Sequence, residues 1–254
     1  LFGGYTRYAG NRLLNRHGWW LRLLPECLLP SSEPSGRLTQ LRRLVLAARG
    51  DRYDDLLAIF PRPIARVLLG PPPSPRREQE RDPLTSDFEG YLPDDLLRKV
   101  DTASMAVALE VRCPLLSIEL ISRCLPAPLE TLMPRGERKG LLRAVARRHL
   151  PHSIVDRPKR GFAIPIGEWF RTDFGGMRTL LQDRLHSTDP FPGLAHEIDR
   201  APIRRMLDEH DAAGTRSINP WKGRDHSQRL YLLLVLSLWC DHRQSLGRQR
   251  LCDA

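Results

Sequence analysis

Apolar residues recur at helical spacing along most of the chain. Between positions 139 and 150, leucine, valine and alanine side chains follow this spacing until Pro151 ends the pattern. The same periodicity predicts helices or apolar helical stretches near Leu13–Leu24, Leu38–Val45, Asp54–Phe60, Ile64–Leu69, Ser117–Leu125, Ile164–Trp169, Pro202–His210 and His226–His242. Strand signals are scarce and no internal repeat is visible, so we expect a mainly α structure.

The longest of the central helices is predicted to begin a few residues after Tyr91. Asp94 or Asp95 is placed to cap it, and Pro114 is placed to end it. Its apolar residues lie on more than one face, so we expect the helix to be largely buried. Ser117 is placed to cap the helix that follows.

No apolar run is long enough to span a membrane. The longest, Leu230–Cys240, falls far short of the roughly 20 residues that a span needs, and we expect a fully buried helix there. The clearest break in the pattern is the proline-rich stretch that begins at position 71. We therefore predict one partial domain with a helical N-terminal segment (1–70), a mobile loop (71–90), a helical core (91–242) and a tail (243–254).

The chain carries a net charge of +10, and only four of its 40 basic residues are lysines. The arginines are spread along the sequence with few aromatic residues among them, which does not favour nucleic-acid binding. Binding of a polyphosphate fits the charge better. The five cysteines are scattered without CxxC spacing, so the sequence predicts neither a zinc site nor a disulfide framework, and it favours a reducing, cytoplasmic setting.

Residues 157–162 form a short basic segment that suits anion binding. Arg157, Lys159 and Arg160 place three cations within four positions, and a proline stiffens the segment. Gly161 allows a ligand to approach the backbone closely. Lysine acts on phosphate oxygens as a compact point charge and arginine as a fork, so the segment is a candidate phosphate-binding loop.

Lys139 lies just inside a predicted helix start, where a cation opposes the helix dipole. A bound anion at that N-terminus would explain its presence, and a solvated surface lysine is the alternative. Lys139 and Lys159 are twenty residues apart in a chain that otherwise prefers arginine, which favours a specific role.

Charged residues also interrupt the predicted helix after Tyr91. A buried charge is costly unless it is paired, so Asp101, Glu110 and Arg112 each require a partner or a function. In the structural interpretation, Asp101 pairs with Lys99 or a neighbour, and Glu110 with Arg112 fixes a helix end. In the functional interpretation, the three residues face a ligand.

Four segments together resemble the asparagine synthetase family, in that family's order. The segment "YLPDDLLRKVDTASMAVALEVRCPLL" is similar to a family helix that ends in a Glu-x-Arg-x-Pro turn, and "GERKGLLR" is similar to a Gly-x-x-Lys-x-x-Leu-Arg helix start. The segment "RPKRGFAIPIGEW" resembles an Arg-Pro-Lys-x-Gly-Phe loop, and "LFGGYTRY" resembles the end of a Ser-Gly-x-Gly-x-Asp-Glu-Leu-Phe-Gly-Gly-Tyr motif. The resemblance covers residues 1 to about 239.

This resemblance implies the helical C-terminal portion of an α/β adenine-nucleotide α-hydrolase-like synthetase domain, of the PP-loop ATP pyrophosphatase type. In that family ATP, with Mg²⁺, adenylates the aspartate carboxylate, pyrophosphate leaves, and glutamine-derived ammonia attacks the acyl-adenylate. By resemblance, Lys159 is the catalytic cation at the α-phosphate or pyrophosphate, and Lys139 binds pyrophosphate beside it. The other substrate- or pyrophosphate-binding residues implied are Arg157, Arg160, Gly161, Asp101, Glu110 and Arg112.

Two parts of the family pattern are not found in these 254 residues: the glutaminase domain and the Ser-Gly-Gly-x-Asp-Ser pyrophosphate loop. We therefore interpret the sequence, which starts with Leu1, as an N-terminally truncated ligase that is inactive alone. Within the match, Ser117 stands where relatives usually carry Asp, which affects a helix cap more than the chemistry. We allow for a homodimer and expect no membrane partner.

Two alternatives stay open at this point. One is an amide-forming relative from natural-product biosynthesis, of the β-lactam synthetase or lasso-peptide cyclase type, whose distinguishing residue would lie in the Ser-Gly-x-Gly segment. The other is a non-catalytic helical remnant or binding module.

Overall fold

The computed structural model describes residues 1–25, 29, 37–49, 52–71, 82–157, 164–194, 196–213 and 224–252. Within these residues the regular structure is entirely helical, which confirms the expected mainly α structure. The chain divides into two compact units. The first unit comprises Leu1–Leu13 and Arg76–Gly161, and the second unit comprises Leu14–Pro75 and Phe162–Ala254.

Short helices make up the first unit. They are the N-terminal part of α1 (Thr6–Leu23), α5 (Pro83–Ser86), a π-helical stretch (Asp87–Leu97), α6 (Arg98–Met105), α7 (Ile118–Cys124), α8 (Leu129–Leu132), α9 (Gly140–Ala146) and α10 (His152–Val155). Single 3-10 turns at Pro114–Leu116 and Pro134–Gly136 connect some of them. Ser117 caps α7 as predicted, because its hydroxyl oxygen accepts the Leu120 N–H at 3.4 Å.

The helix predicted to run from Asp94 or Asp95 to Pro114 is wrong at both ends. Helical structure begins at α5, where the Asp82 carboxylate accepts the N–H groups of Leu84 and Thr85. Of the loop predicted at 71–90, residues 72–81 lie outside the described residues, and the part from Pro83 onward is helical.

Helix α6 ends at Met105 in a Schellman motif. The N–H of Leu109 bonds to the Ser104 carbonyl at 3.0 Å, and the N–H of Ala108 bonds to the Met105 carbonyl at 3.0 Å. Ala108 takes the left-handed conformation that this motif needs, with φ at 56°. The expected burial is also wrong, because Val107 is 75% exposed.

The second unit contains α2 (Arg37–Arg49), α3 (Arg52–Leu57), α4 (Arg62–Leu69), α11 (Ile166–Thr172), α12 (Met177–His186), α13 (Arg200–Ala213) and α14 (Ser227–Cys252). Its main apolar core joins α4 to the four C-terminal helices. The core residues are Leu68, Phe170, Leu181, Leu185, Phe191, Ile198, Ile203, Met206, Leu207, Leu230, Leu233, Leu234 and Cys240. A smaller cluster joins the second half of α1 to α2.

Helix α14 is longer than predicted and less buried. It continues past His242, so the expected tail is helical as far as Cys252. Leu230 and Leu234 are fully buried, whereas Val235 and Trp239 on other faces are 44% and 53% exposed. The apolar run therefore contributes one face to the core and leaves another face at the surface.

Candidate functional site

Lys139 lies against the glycine turn at the start of the chain. Its backbone N–H donates to the carbonyl oxygen of Gly3 at 3.3 Å. Its side chain passes so close to Gly4 that a Cβ there would lie 2.6 Å from Lys139 Cε. The structure thus brings together two of the segments that carried the family resemblance, "LFGGYTRY" and "GERKGLLR".

The turn that holds Lys139 has an unusual backbone. Arg135 and Lys139 both adopt the left-handed conformation with φ at 55°, which is uncommon for residues with a side chain. Gly140 is buried, and a Cβ there would lie 2.7 Å from Pro134 Cδ, so only glycine fits that position without a shift. Left-handed residues of this kind cost about 1–3 kcal/mol each and are typical of ligand-binding turns.

A network of ion pairs ties this turn to the segment that leads into the predicted basic loop. Arg143 on α9 and Arg147 just after it both contact Glu137, at 3.1 and 3.3 Å, and both contact Asp156, at 3.0 and 2.9 Å. Hydrogen bonds from Arg147 and Arg143 lower the pKa of Asp156 to about 2. Glu137 lies two positions before Lys139 and Asp156 lies just before Arg157, so the network anchors both candidate segments to α9.

The predicted basic loop falls mostly outside the described residues. Lys159, Arg160 and Gly161 belong to the stretch 158–163, which the structure does not describe. Arg157 is described and exposed, and it makes no ion pair with another described residue. Lys139 is also exposed, and no ion pair involves it in the described part of the chain. Both cations are therefore available to an anion.

The three charged residues of the segment after Tyr91 are exposed. Glu110 pairs with Arg112, and these side chains are 70% and 86% exposed. Asp101 is exposed on α6, and Lys99 pairs with Asp95 at 3.6 Å instead of with Asp101. Among the described contacts, none joins Asp101, Glu110 or Arg112 to Lys139. Glu110 and Arg112 lie beyond the end of α6, so they do not fix its terminus.

Sequence reasoning missed a cluster that holds the glycine turn in place. The guanidinium of Arg7 lies between the rings of Tyr5 and Tyr91, 3.9 and 4.5 Å from their centroids. Arg7 also pairs with the buried carboxylate of Asp87 at 2.9 Å, and that carboxylate accepts the Tyr8 hydroxyl at 2.5 Å. The aromatic-rich "GGYTRY" is the sequence signal for this cluster, but position 87 falls within the loop that the sequence predicts at 71–90.

The sequence model of the family described as asparagine synthase matches residues 1–241. The chain belongs to the asparagine synthase family. The resemblance inferred from the four segments is thereby confirmed, and with it the assignment to the adenine-nucleotide α-hydrolase-like superfamily.

Named relatives agree with this family assignment. A Mycobacterium tuberculosis protein named "Putative asparagine synthetase", glutamine-hydrolysing, is 31% identical over 153 residues, which cover 60% of this chain and 21% of the relative. Glutamine-hydrolysing asparagine synthetase 1 of Bacillus subtilis is 26% identical over 154 residues, covering 60% and 22%. The chain thus spans about a fifth of the length of these relatives. No solved structure matches it.

Two further features of the described residues concern a membrane span and a metal site. No helix in the described part of the chain is long and apolar enough to cross a membrane. No group of three or more His, Cys, Asp or Glu side chains among the described residues is placed to hold a metal ion.

Proposed function

We propose that this chain supplies the pyrophosphate-side wall of a synthetase site that makes asparagine from aspartate, ATP and glutamine-derived ammonia. The observation that carries the proposal is the position of Lys139. It is an exposed cation without an ion-pair partner among the described residues, held in a left-handed turn against Gly3 and Gly4. Family membership supports ATP-dependent amide formation as the reaction class.

The proposed reaction has two steps. The aspartate carboxylate attacks the α-phosphorus of ATP, and the bond to pyrophosphate breaks to give an acyl-adenylate. Ammonia then attacks the acyl carbon, and AMP leaves with the electron pair of the broken C–O bond. The charge that develops on the leaving pyrophosphate is where fixed cations give the largest stabilisation.

The chain's own residues divide this task. Lys139 would hold the pyrophosphate oxygens as a point charge, and Arg157 would approach from the segment anchored by Asp156. We assign the catalytic contact to Lys159, with Arg160 and Gly161 shaping the same loop, on the resemblance alone. By resemblance, Asp101, Glu110 and Arg112 would shape the acceptor side or hold that wall of the site in place.

The test uses the complete natural protein with single lysine substitutions. Lys159→Ala and Lys139→Ala should each lower ATP- and aspartate-dependent pyrophosphate release by about a hundredfold, as loss of one transition-state donor does. Lys99→Ala is the matched control, because Lys99 is an exposed lysine of the same unit that pairs with Asp95. A near-normal rate in either of the first two variants would show that its lysine has no such role.

The same assay tests the substrate. Pyrophosphate release that depends on aspartate supports asparagine synthesis, whereas release with a different carboxylate would indicate an amide-forming relative of natural-product type. We expect the 254 residues alone to release none, because they contain no Ser-Gly-Gly-x-Asp-Ser sequence. Turnover by the isolated chain would contradict that expectation.

A cytoplasmic location belongs to the same proposal. Cys113, Cys124 and Cys240 are free thiols, as expected in a reducing compartment. A homodimer is compatible with the proposal and is tested by the mass of the complete protein in solution.

A further inference from the structure

The second unit contains an open cleft of about 60 Å³ at the start of helix α14. Its wall is formed by α2, by the connection between α3 and α4, and by the first residues of α14. The lining residues are Thr39, Arg42, Arg43, Leu46, Ala58, Ile59, Pro61, Asp225, His226, Ser227, Gln228 and Arg229. That volume is far below the roughly 300–1,000 Å³ of drug-sized ligand sites, so the cleft suits a compact ligand only.

Three guanidinium groups face this cleft. Arg42 is 6% exposed, and its charge helps to lower the pKa of the Glu209 carboxyl, after the larger contribution from His226. Arg229 is half-buried, and Arg43 is exposed. Arg43 makes no ion pair or side-chain hydrogen bond within the described residues, so it is free to turn toward a ligand.

Arg229 is fixed in orientation by two acceptors. Its Nε donates to the carbonyl oxygen of Ile59 at 2.9 Å, and its Nη1 lies 3.1 Å from Nδ1 of His226. Because that nitrogen accepts, the proton of the His226 ring lies on Nε2, which donates to Glu209 at 2.8 Å. The ring is therefore neutral and adds no charge, but it holds a guanidinium at the cleft.

The acidic residue in the described lining, Asp225, already has hydrogen-bond and ion-pair partners. One oxygen of Asp225 accepts the Ser227 N–H at 2.9 Å, and the other pairs with Arg171 at 3.3 Å. The remaining polar lining, Thr39, Ser227 and Gln228, consists of hydrogen-bond donors that carry no charge. The described lining thus contains three arginines and one paired carboxylate, and Arg43 is the arginine whose guanidinium is available to a ligand.

We propose that this cleft binds a compact phosphate-bearing anion. Guanidinium groups match phosphate oxygens in geometry and stay charged at all relevant pH values. The described lining contains no Phe, Tyr or Trp ring on which a base could stack, which favours a small phosphate ligand over single-stranded nucleic acid. The cleft uses only residues of the second unit, whereas Lys139 and Arg157 belong to the first unit.

The proposal is tested by titrating the complete protein with inorganic phosphate at constant ionic strength and following heat or thermal stabilisation. Binding should be saturable. Arg43→Ala should weaken it about tenfold or more, the factor expected when one charged hydrogen bond is lost. Arg43→Lys should restore part of the affinity. Arg205→Ala is the matched control, since Arg205 is an exposed arginine of the same unit outside the lining.

Further experiments distinguish phosphate binding in this cleft from binding at the proposed synthetase site, and distinguish phosphate from other ligands of the cleft. The Arg43 effect should persist in a Lys139→Ala background and without ATP, so that failure of one proposal leaves the other standing. AMP in place of inorganic phosphate tests whether a phosphomonoester binds more tightly. Equal phosphate affinity in the wild type and Arg43→Ala, or binding of an oligonucleotide with no response to phosphate, would overturn the proposal.

Discussion

The two units place their apolar side chains differently. In the second unit, Phe170 is 1% exposed within a core shared by five helices. In the first unit, Val107 and Ile118 are 75% and 81% exposed, although the sequence around them has the apolar content of a core. The second unit therefore carries most of the buried surface, and the first unit carries the strained turn with the candidate synthetase cations Lys139 and Arg157. Stability and the candidate chemistry are found in different parts of the chain.

Their charged groups differ in the same way. The second unit buries His210 and His226 among Glu209 and Asp225, where hydrogen bonds fix each ring. The first unit holds most of its ion pairs at the surface, as between α9 and α10, where solvent screens them. Arg7 with Asp87 is its buried exception.

The largest predicted effect tests the core of the second unit. Phe170→Ala should lower the free energy of unfolding by about 3–5 kcal/mol, because it removes a fully buried ring and leaves a cavity. Phe174→Ala is the control: the same residue type four positions later, and 60% exposed. Urea unfolding of both variants measures the difference. Equal losses would show that the two rings do not differ in burial.

A smaller loss is expected from the buried pair of the first unit. Asp87→Asn should cost about 2–4 kcal/mol, because it leaves the Arg7 charge without its buried partner. Asp95→Asn removes an exposed partner of Lys99 and should cost under about 1 kcal/mol. Denaturant unfolding followed by tyrosine fluorescence reports on this region, since Tyr5, Tyr8 and Tyr91 surround the pair.

These two regions also differ in how well the sequence predicts them. Apolar periodicity predicts most helices of the second unit, because their apolar faces do meet a core there, but it does not predict α12, whose Leu181 and Leu185 belong to that core. In the first unit the same pattern predicts a buried helix through Val107, and the structure ends the helix at Met105. Periodicity shows which residues are apolar, and it does not show whether another element covers them.

The next prediction concerns pH and the buried histidines. Burial lowers the pKa of His210 and of His226, so the folded protein favours the neutral rings. The unfolded chain then binds more protons below the ordinary histidine pKa of about 6.5, and stability must fall as pH drops through that value. For each proton that the unfolded chain binds and the folded protein does not, the free energy of unfolding falls by about 1.4 kcal/mol per pH unit.

The measurement is unfolding by urea between pH 8 and pH 5. The pKa values of the nearby carboxylates Glu209 and Asp225 are lowered, so both groups remain ionised across this window. His226→Gln keeps a donor for Glu209 and should reduce the slope. His186→Gln changes an exposed histidine and should leave the slope unchanged. Stability that is flat across this window would contradict the neutral, hydrogen-bonded assignment of the rings.

The candidate site was predictable in its residue types but not in its geometry. The sequence points to Lys139 because a cation at the start of a helix is unfavourable with respect to the helix dipole, so a bound anion would explain it. Its contact with Gly3 and Gly4 could not be predicted, because it joins positions more than 130 residues apart through backbone conformation. Asp87 was missed for the same reason: its partners Arg7 and Tyr8 are distant in sequence.

The smallest expected effect tests the exposed surface of the first unit. Val107→Ser should change the free energy of unfolding by less than about 0.5 kcal/mol, because the side chain already contacts water. Leu132→Ser, at a position of the same unit that is 1% exposed, should cost several times more. A loss above about 1 kcal/mol for Val107→Ser in the complete protein would mean that its side chain is covered in solution. The exposed apolar residues of the first unit would then be an interface, and the contrast between the units would hold for the isolated chain alone.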